Sequence, residues 1–146
     1  VEAVSALGAQ PIRHDERVEN GAISLRFTSG CTAAVVFADT ASSPWSFEAG
    51  TGENPNIGTT GQDYLFVAGT DGAVSFPSLT VWGGSDDWGR AVTPTVLEAP
   101  ETDALEAQLS HFLEVIDGAV PRIDVEDASR TLDVILQVES ALEHNS

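Results

Sequence analysis

The chain contains no lysine, no methionine and a single cysteine, Cys31, in 146 residues. One cysteine excludes an internal disulfide and a cysteine-rich zinc site. It fits a reducing compartment, and a cytoplasmic location is the expectation. A sequence without methionine cannot start at its own start codon, which predicts a fragment of a longer protein or a processed product. No apolar run approaches the ~20 residues a membrane-spanning helix needs, and no basic-then-apolar N-terminal stretch reads as a signal peptide. Positive charge is scarce too: six arginines stand against 23 acidic residues, a formal net charge of -17. Such a surface repels phosphate backbones and anionic lipid headgroups, so neither nucleic acid nor a membrane is an expected partner. The acids are scattered along the chain, as on a solvated surface, and their mutual repulsion should be relieved by salt.

What is present suits a folded protein. Hydrophobic residues make up 42% of the chain, and the mean hydropathy is -0.01. The length predicts a single domain over residues 1–146, able to hide about two-thirds of its unfolded surface.

The first two-thirds carry the period-two signature of strands. Val1-Glu2-Ala3-Val4 opens the chain in that pattern, and Ile23-Ser24-Leu25-Arg26-Phe27 repeats it. Ser29-Gly30 follows as a turn into the apolar run 33–38, so the two segments form an antiparallel hairpin. Cys31, at the entrance of that run, reads as a small core residue. Trp45-Ser46-Phe47 reads as a third short strand, and 50–61 as an exposed loop rich in Gly, Thr, Asn and Pro. Residues 64–68 and 73–76 are strands joined by the turn Thr70-Asp71-Gly72, and 79–82 is a sixth. Residues 83–100 read as a loop with Trp88 as an anchor.

The last third is helical. Asp103 caps one helix, with Glu106 as its capping-box partner. Leu105, Leu109, Phe112, Leu113 and Ile116 make its apolar stripe, and Gly118 and Pro121 end it. Asp124 caps the next, with Asp127 three residues on and a stripe of Ala128, Leu132, Ile135, Val138 and Leu142. Strands before helices predict an α+β domain: an open, mostly antiparallel sheet with both helices packed on one face. The runs 33–38 and 64–68 are apolar on both faces, so the second face needs cover. A partner subunit or another domain supplies it more economically than the 83–100 loop.

Signals of chemistry are sparse. No G-x-G-x-x-G and no G-x-x-x-x-G-K-[ST] occurs. His14, His111 and His144 lack metal-ligand spacing, and no metal site is expected. Asp86-Asp87 is an adjacent pair of a kind that so acidic a chain holds by chance. One segment stands apart: Ser43-Pro44-Trp45-Ser46-Phe47-Glu48 leads into Gly52-Glu53-Asn54-Pro55. An aromatic face beside a carboxylate and an amide suits a polyhydroxylated ligand, the ring packing on a sugar face while Glu and Asn bond hydroxyls. The plainer reading makes Trp45 and Phe47 core residues and Glu53-Asn54-Pro55 a turn. The candidate substrate-binding residues are therefore Trp45, Glu53 and Asn54, and no catalytic residue is assigned.

The order of these stretches resembles the C-terminal domain of the glucose-fructose oxidoreductase and inositol dehydrogenase (Gfo/Idh/MocA) family. The resemblance runs through Ala22-Ile-Ser-Leu-Arg-Phe-Thr-Ser-Gly30, Ser43-Pro-Trp-Ser-Phe-Glu48, Gly52-Glu-Asn-Pro55, Gly69-Thr-Asp-Gly-Ala-Val-Ser-Phe-Pro-Ser-Leu79 and Trp82. It continues through Gln108-Leu-Ser-His-Phe112, Gly118, Pro121 to Asp127, Arg130-Thr-Leu132 and Ser140-Ala141. It implies a C-terminal domain like that of dihydrodipicolinate reductase, preceded in the full-length protein by a Rossmann domain that binds NAD or NADP. It also implies hydride transfer to or from a sugar, polyol or cyclitol hydroxyl, and a homo-oligomer formed through the open sheet face. The family's Glu-Lys-Pro lysine and its histidine in a Gly-Gly-x-x-x-Asp-x-Gly-x-His context do not occur here. The chain alone is then expected to hold no cofactor and to be catalytically silent. Two other readings stay open: a stand-alone binding or assembly module without a Rossmann partner, and a small carbohydrate-binding protein unrelated to dehydrogenases.

Overall fold

Alternation and turn chemistry place seven strands and three helices in the computed structural model, which describes residues 1–13, 17–84, 87, 89–99 and 103–144. The expectations for His14, Asp86 and Trp88 lie outside the described residues. The class is α+β, and its strands form two antiparallel sheets, one of three strands and one of four, in place of one open sheet. The chain divides into two compact units: 1–42 with 120–146, and 43–119.

The first unit holds β1 (Ala3–Gly8), β2 (Asn20–Arg26) and β3 (Thr32–Ala38), in the order β1-β2-β3. The register pairs Val4 with Leu25 and Leu25 with Ala33. Because side chains alternate along a strand, Val4, Ala6, Ile23, Leu25, Ala33 and Phe37 share one face, and Ala6 at its centre is 1% exposed. The C-terminal helix α3 (Val125–His144) packs against β1. Glycine is required at this seam and beside it. A Cβ at Gly8 would lie 2.9 Å from Val18 Cγ1 and 3.7 Å from Leu142 Cδ2, and one at Gly21 would lie 2.6 Å from the Leu7 carbonyl oxygen. The opposite face, with Ser5, Leu7, Ser24, Ala34 and Val36, is open to solvent.

Glu19 closes the β1–β2 connection. Its carboxylate is almost fully buried and accepts the Ile12 and Arg13 backbone N–H groups, each at 2.8 Å, and Arg13 Nε at 3.1 Å. These donors, the Arg13 N–H foremost, hold the Glu19 carboxyl below the usual carboxylate range. The Arg13 guanidinium also pairs with Asp39.

The second unit holds α1 (Phe47–Thr51), β4 (Leu65–Gly69), β5 (Gly72–Phe76), β6 (Thr80–Gly83), β7 (Thr95–Val96) and α2 (Ala104–Ile116). Its sheet runs β4-β5-β6-β7. The segment 45–47, read as a strand, is instead the entry to α1. Ser46 Oγ accepts the Ala49 N–H at 3.2 Å and caps the helix, and Gly52 closes it in the left-handed region at φ 75°. The 83–100 loop contributes the short strand β7.

Both long helices begin where their aspartates lie. Asp103 accepts the Leu105 and Glu106 N–H groups, and Asp124 accepts that of Asp127. Their stripes are less covered than a sheet backing would make them. All five apolar residues of the α2 stripe are exposed, and α3 half-buries Val134, Val138, Ala141 and Leu142 while Ala128, Leu132 and Ile135 face solvent. The expectation of a helix packed on a sheet holds for α3 on β1. Cys31, expected in the core, is exposed at its turn.

Candidate functional site

The segment 43–64 forms a closed loop around α1. Ser43 Oγ accepts the Trp45 N–H at 3.1 Å, fixing the approach to the Ser46 cap. On the far side of α1, Thr51 Oγ1 accepts the Glu53 N–H at 3.3 Å. The return arm closes back on the helix: the Thr60 N–H donates to the Ala49 carbonyl at 2.7 Å, and Thr60 Oγ1 donates to the Pro44 carbonyl at 2.9 Å. Ala49 and Gly50 are buried at the centre of this closure. A Cβ at Gly50 would come within 2.8 Å of the Gln62 carbonyl oxygen and 3.1 Å of the Tyr64 ring, so the helix sits directly on the loop's base.

The three candidate residues fall on this loop at different places. Trp45 is 66% exposed, and Phe47 beside it is also exposed. The reading of both as core residues is therefore excluded. Glu53 is exposed just past Gly52. Trp45 precedes the N-cap and Glu53 follows the C-cap, so the five-residue helix, about 7.5 Å long at 1.5 Å per residue, stands between them. Asn54 is half-buried, and its Oδ1 accepts the Asn56 N–H at 3.0 Å. That is the turn chemistry of the plainer reading, and it draws the Asn54 carbonyl into local structure.

Sequence reasoning missed Tyr64, which it treated only as the start of a strand. Burial raises the Tyr64 phenol above its ordinary value, and the Glu53 and Glu48 carboxylates raise it further. The phenol therefore lies in the field of both acids. It remains protonated at neutral pH, with its ring set edge-on against Phe76 at a centroid distance of 5.7 Å. The loop thus presents an exposed indole, an exposed carboxylate and a negative bias, which suits ligands that donate hydroxyl hydrogens and carry apolar C–H faces.

Among the described residues no group of three His, Cys, Asp or Glu side chains could hold a metal ion. His111 is half-buried with Nδ1 3.2 Å from Glu114, and His144 Nδ1 lies 2.6 Å from the Ser140 carbonyl near the end of α3. No helix of the described residues is long and apolar enough to cross a membrane.

Compared with known proteins, the chain matches no protein-family model, no curated protein and no solved structure. The site is therefore read from its own residues. At the starts of the long helices the Asp103 carboxylate accepts the Leu105 and Glu106 N–H groups and the Asp124 carboxylate accepts that of Asp127.

Proposed function

We propose that this chain is the substrate-binding and assembly part of a cytoplasmic NAD(P)-dependent oxidoreductase of the glucose-fructose oxidoreductase and inositol dehydrogenase kind, acting on a sugar, polyol or cyclitol hydroxyl. The observation that carries the reading is the solvent-facing Trp45 indole, held by the Ser46-capped turn at one end of α1 with Glu53 at the other. In this reading the indole packs on the C–H face of the ligand, the Glu53 carboxylate accepts hydroxyl hydrogens, and Asn54 orients one end. The nicotinamide cofactor belongs to a Rossmann domain elsewhere in the full-length protein, where it supplies the redox chemistry. No step is assigned to residues of this chain beyond binding and orientation.

The open face of the three-stranded sheet supports the assembly role. Leu7 and Val36 stand exposed among Ser5, Ser24 and Ala34, a flat surface of small and apolar side chains. In this reading a second copy covers it.

The test is the protein encoded by the complete reading frame, assayed for NAD(P)⁺ reduction with a panel of sugars, polyols and inositols. Trp45→Ala and Glu53→Ala are expected to raise the substrate KM about tenfold or more. Unchanged KM and kcat in both variants would remove the site. A frame that encodes no dinucleotide-binding region would overturn the enzyme in favour of a stand-alone binding module.

A further inference from the structure

The base of the 43–64 loop is held by a carboxylate, that of Asp63. Asp63 Oδ1 accepts the Ser78 N–H at 2.7 Å, and Asp63 Oδ2 accepts the Ser78 hydroxyl at 2.8 Å. Ser78 Oγ in turn lies 2.7 Å from Thr80 Oγ1 and 3.1 Å from Ser75 Oγ, and Ser75 is 1% exposed, the most deeply buried polar residue described. The Asp63 carboxyl is drawn below its ordinary range, chiefly by the Ser78 N–H.

Asp63 and Ser78 are 15 residues apart, and each belongs to a different wall of the loop's seat. Asp63 lies between Gln62 and Tyr64, and Ser78 follows Pro77. The Gln62 carbonyl, the Tyr64 ring and Pro77 Cδ are the three groups that a Cβ at Gly50 would meet, at 2.8, 3.1 and 3.4 Å. The two bonds from Asp63 therefore lock together the surfaces on which α1 rests. Trp45 and Glu53 stand at the two ends of that helix.

We propose that Asp63 is the positioning residue of this loop: clamping Ser78, it fixes the seat of α1 and thereby where Trp45 and Glu53 stand. It touches no ligand. The inference rests on the proposed site for its functional meaning, but its structural content can be read without any ligand.

The experiment uses the full 146-residue chain and the variants Asp63→Ala, Ser78→Ala and Ser78→Thr. Amide hydrogen exchange is followed at Gly50, Gly52, Thr60 and Gly61, whose N–H groups bond within the loop. Asp63→Ala is expected to speed these amides about tenfold or more while the β5 and β6 amides keep their protection. Ser78→Ala should give a smaller increase, and Ser78→Thr, which keeps both donors, should restore the slow exchange. Unchanged loop amides would overturn the proposal. So would an equal acceleration across the whole unit 43–119, which marks a merely structural role.

A second arm titrates myo-inositol against the Trp45 indole N–H resonance. Asp63→Ala should weaken binding about tenfold, although Trp45 and Glu53 are intact. Equal affinity in a loosened loop would overturn the link from Asp63 to the site. If the unaltered chain does not respond to myo-inositol, sorbitol or glucose, the polyol reading fails, and the exchange arm still decides the role of Asp63.

Discussion

Two glycines face each other across the β5–β6 ladder, Gly72 and Gly83, and they should respond oppositely to the same substitution. Gly72 has φ +156°, and a Cβ there would run into the Trp82 carbonyl oxygen. Gly83 has ordinary φ, and a Cβ there would meet nothing within 4 Å. Gly72→Ala therefore combines backbone strain of about 1–3 kcal/mol with a forced shift of about 1–3 kcal/mol. Because a shift of the strand relieves part of each, we expect a loss of about 3 kcal/mol, roughly a hundredfold in the folded-to-unfolded ratio. Gly83→Ala should be neutral or stabilise by up to about 1 kcal/mol, since it only narrows the unfolded ensemble. The assay is urea denaturation followed by tryptophan emission, with Trp82 beside both positions. With an m-value of about 1.5 kcal/mol per molar, the Gly72→Ala midpoint falls by about 2 M. Equal shifts for the two variants, or an unmoved Gly72→Ala midpoint, would refute the backbone geometry assigned to this hairpin.

Acid should loosen the first unit through Glu19. Its carboxyl is depressed in the fold, so its contribution is complete above the unfolded value near 4 and is lost as pH falls through that value toward the folded one. Glu19→Gln should be less stable at pH 7 and lose less between pH 5 and 2, read by circular dichroism; parallel acid curves would count against the buried carboxylate. Salt should act in the other direction. With a net charge of -17, the melting temperature is expected to rise as sodium chloride increases from about 0.01 to 1 M, and a flat profile would show that the scattered acids do not strain the fold.

Local chemistry was legible wherever neighbours in the chain decide the outcome. The hairpins 23–38 and 64–76, and the capping aspartates Asp103 and Asp124, lie where alternation, turn residues and side-chain oxygens place them. The segment 45–47 shows one local rule overriding another. Two aromatics favour an extended chain, but Ser46 offers an oxygen to the Ala49 N–H, and Gly52 supplies the left-handed stop, so a short helix forms. What stayed hidden depends on distance. Alternation does not say which strands pair, so the division into two sheets was not readable. Thr95 and Val96 are too short a run to announce β7. Asp63 looked like one more surface acid among 23, because its partner lies 15 residues away beyond two strands and a turn.

The exposed apolar residues sharpen the same contrast. Within β3 the run Thr-Ala-Ala-Val-Val-Phe-Ala carries no charge, and within β4 neither does Leu-Phe-Val-Ala-Gly, yet among the described residues each is the edge of its sheet with only one hydrogen-bonded neighbour. Soluble proteins blunt such edges with lysine, proline or a bulge. This chain has no lysine to spend, and its charge of -17 is scattered elsewhere. Phe66 at 71% and Val36 at 79% exposed lie on those edges. An edge left uncharged in so charged a chain sets no like-charge repulsion against a second strand, which supports the proposed assembly role. The polar apparatus of the 43–64 loop has the opposite character: the Ser46 hydroxyl caps one helix and the Asp63 carboxylate is bonded to Ser78, while an indole and an acid, Trp45 and Glu53, are exposed at the helix ends. In the proposed function, cover for the edges and a hydroxylated ligand for the loop are thus separate demands, set by different residues and open to separate test.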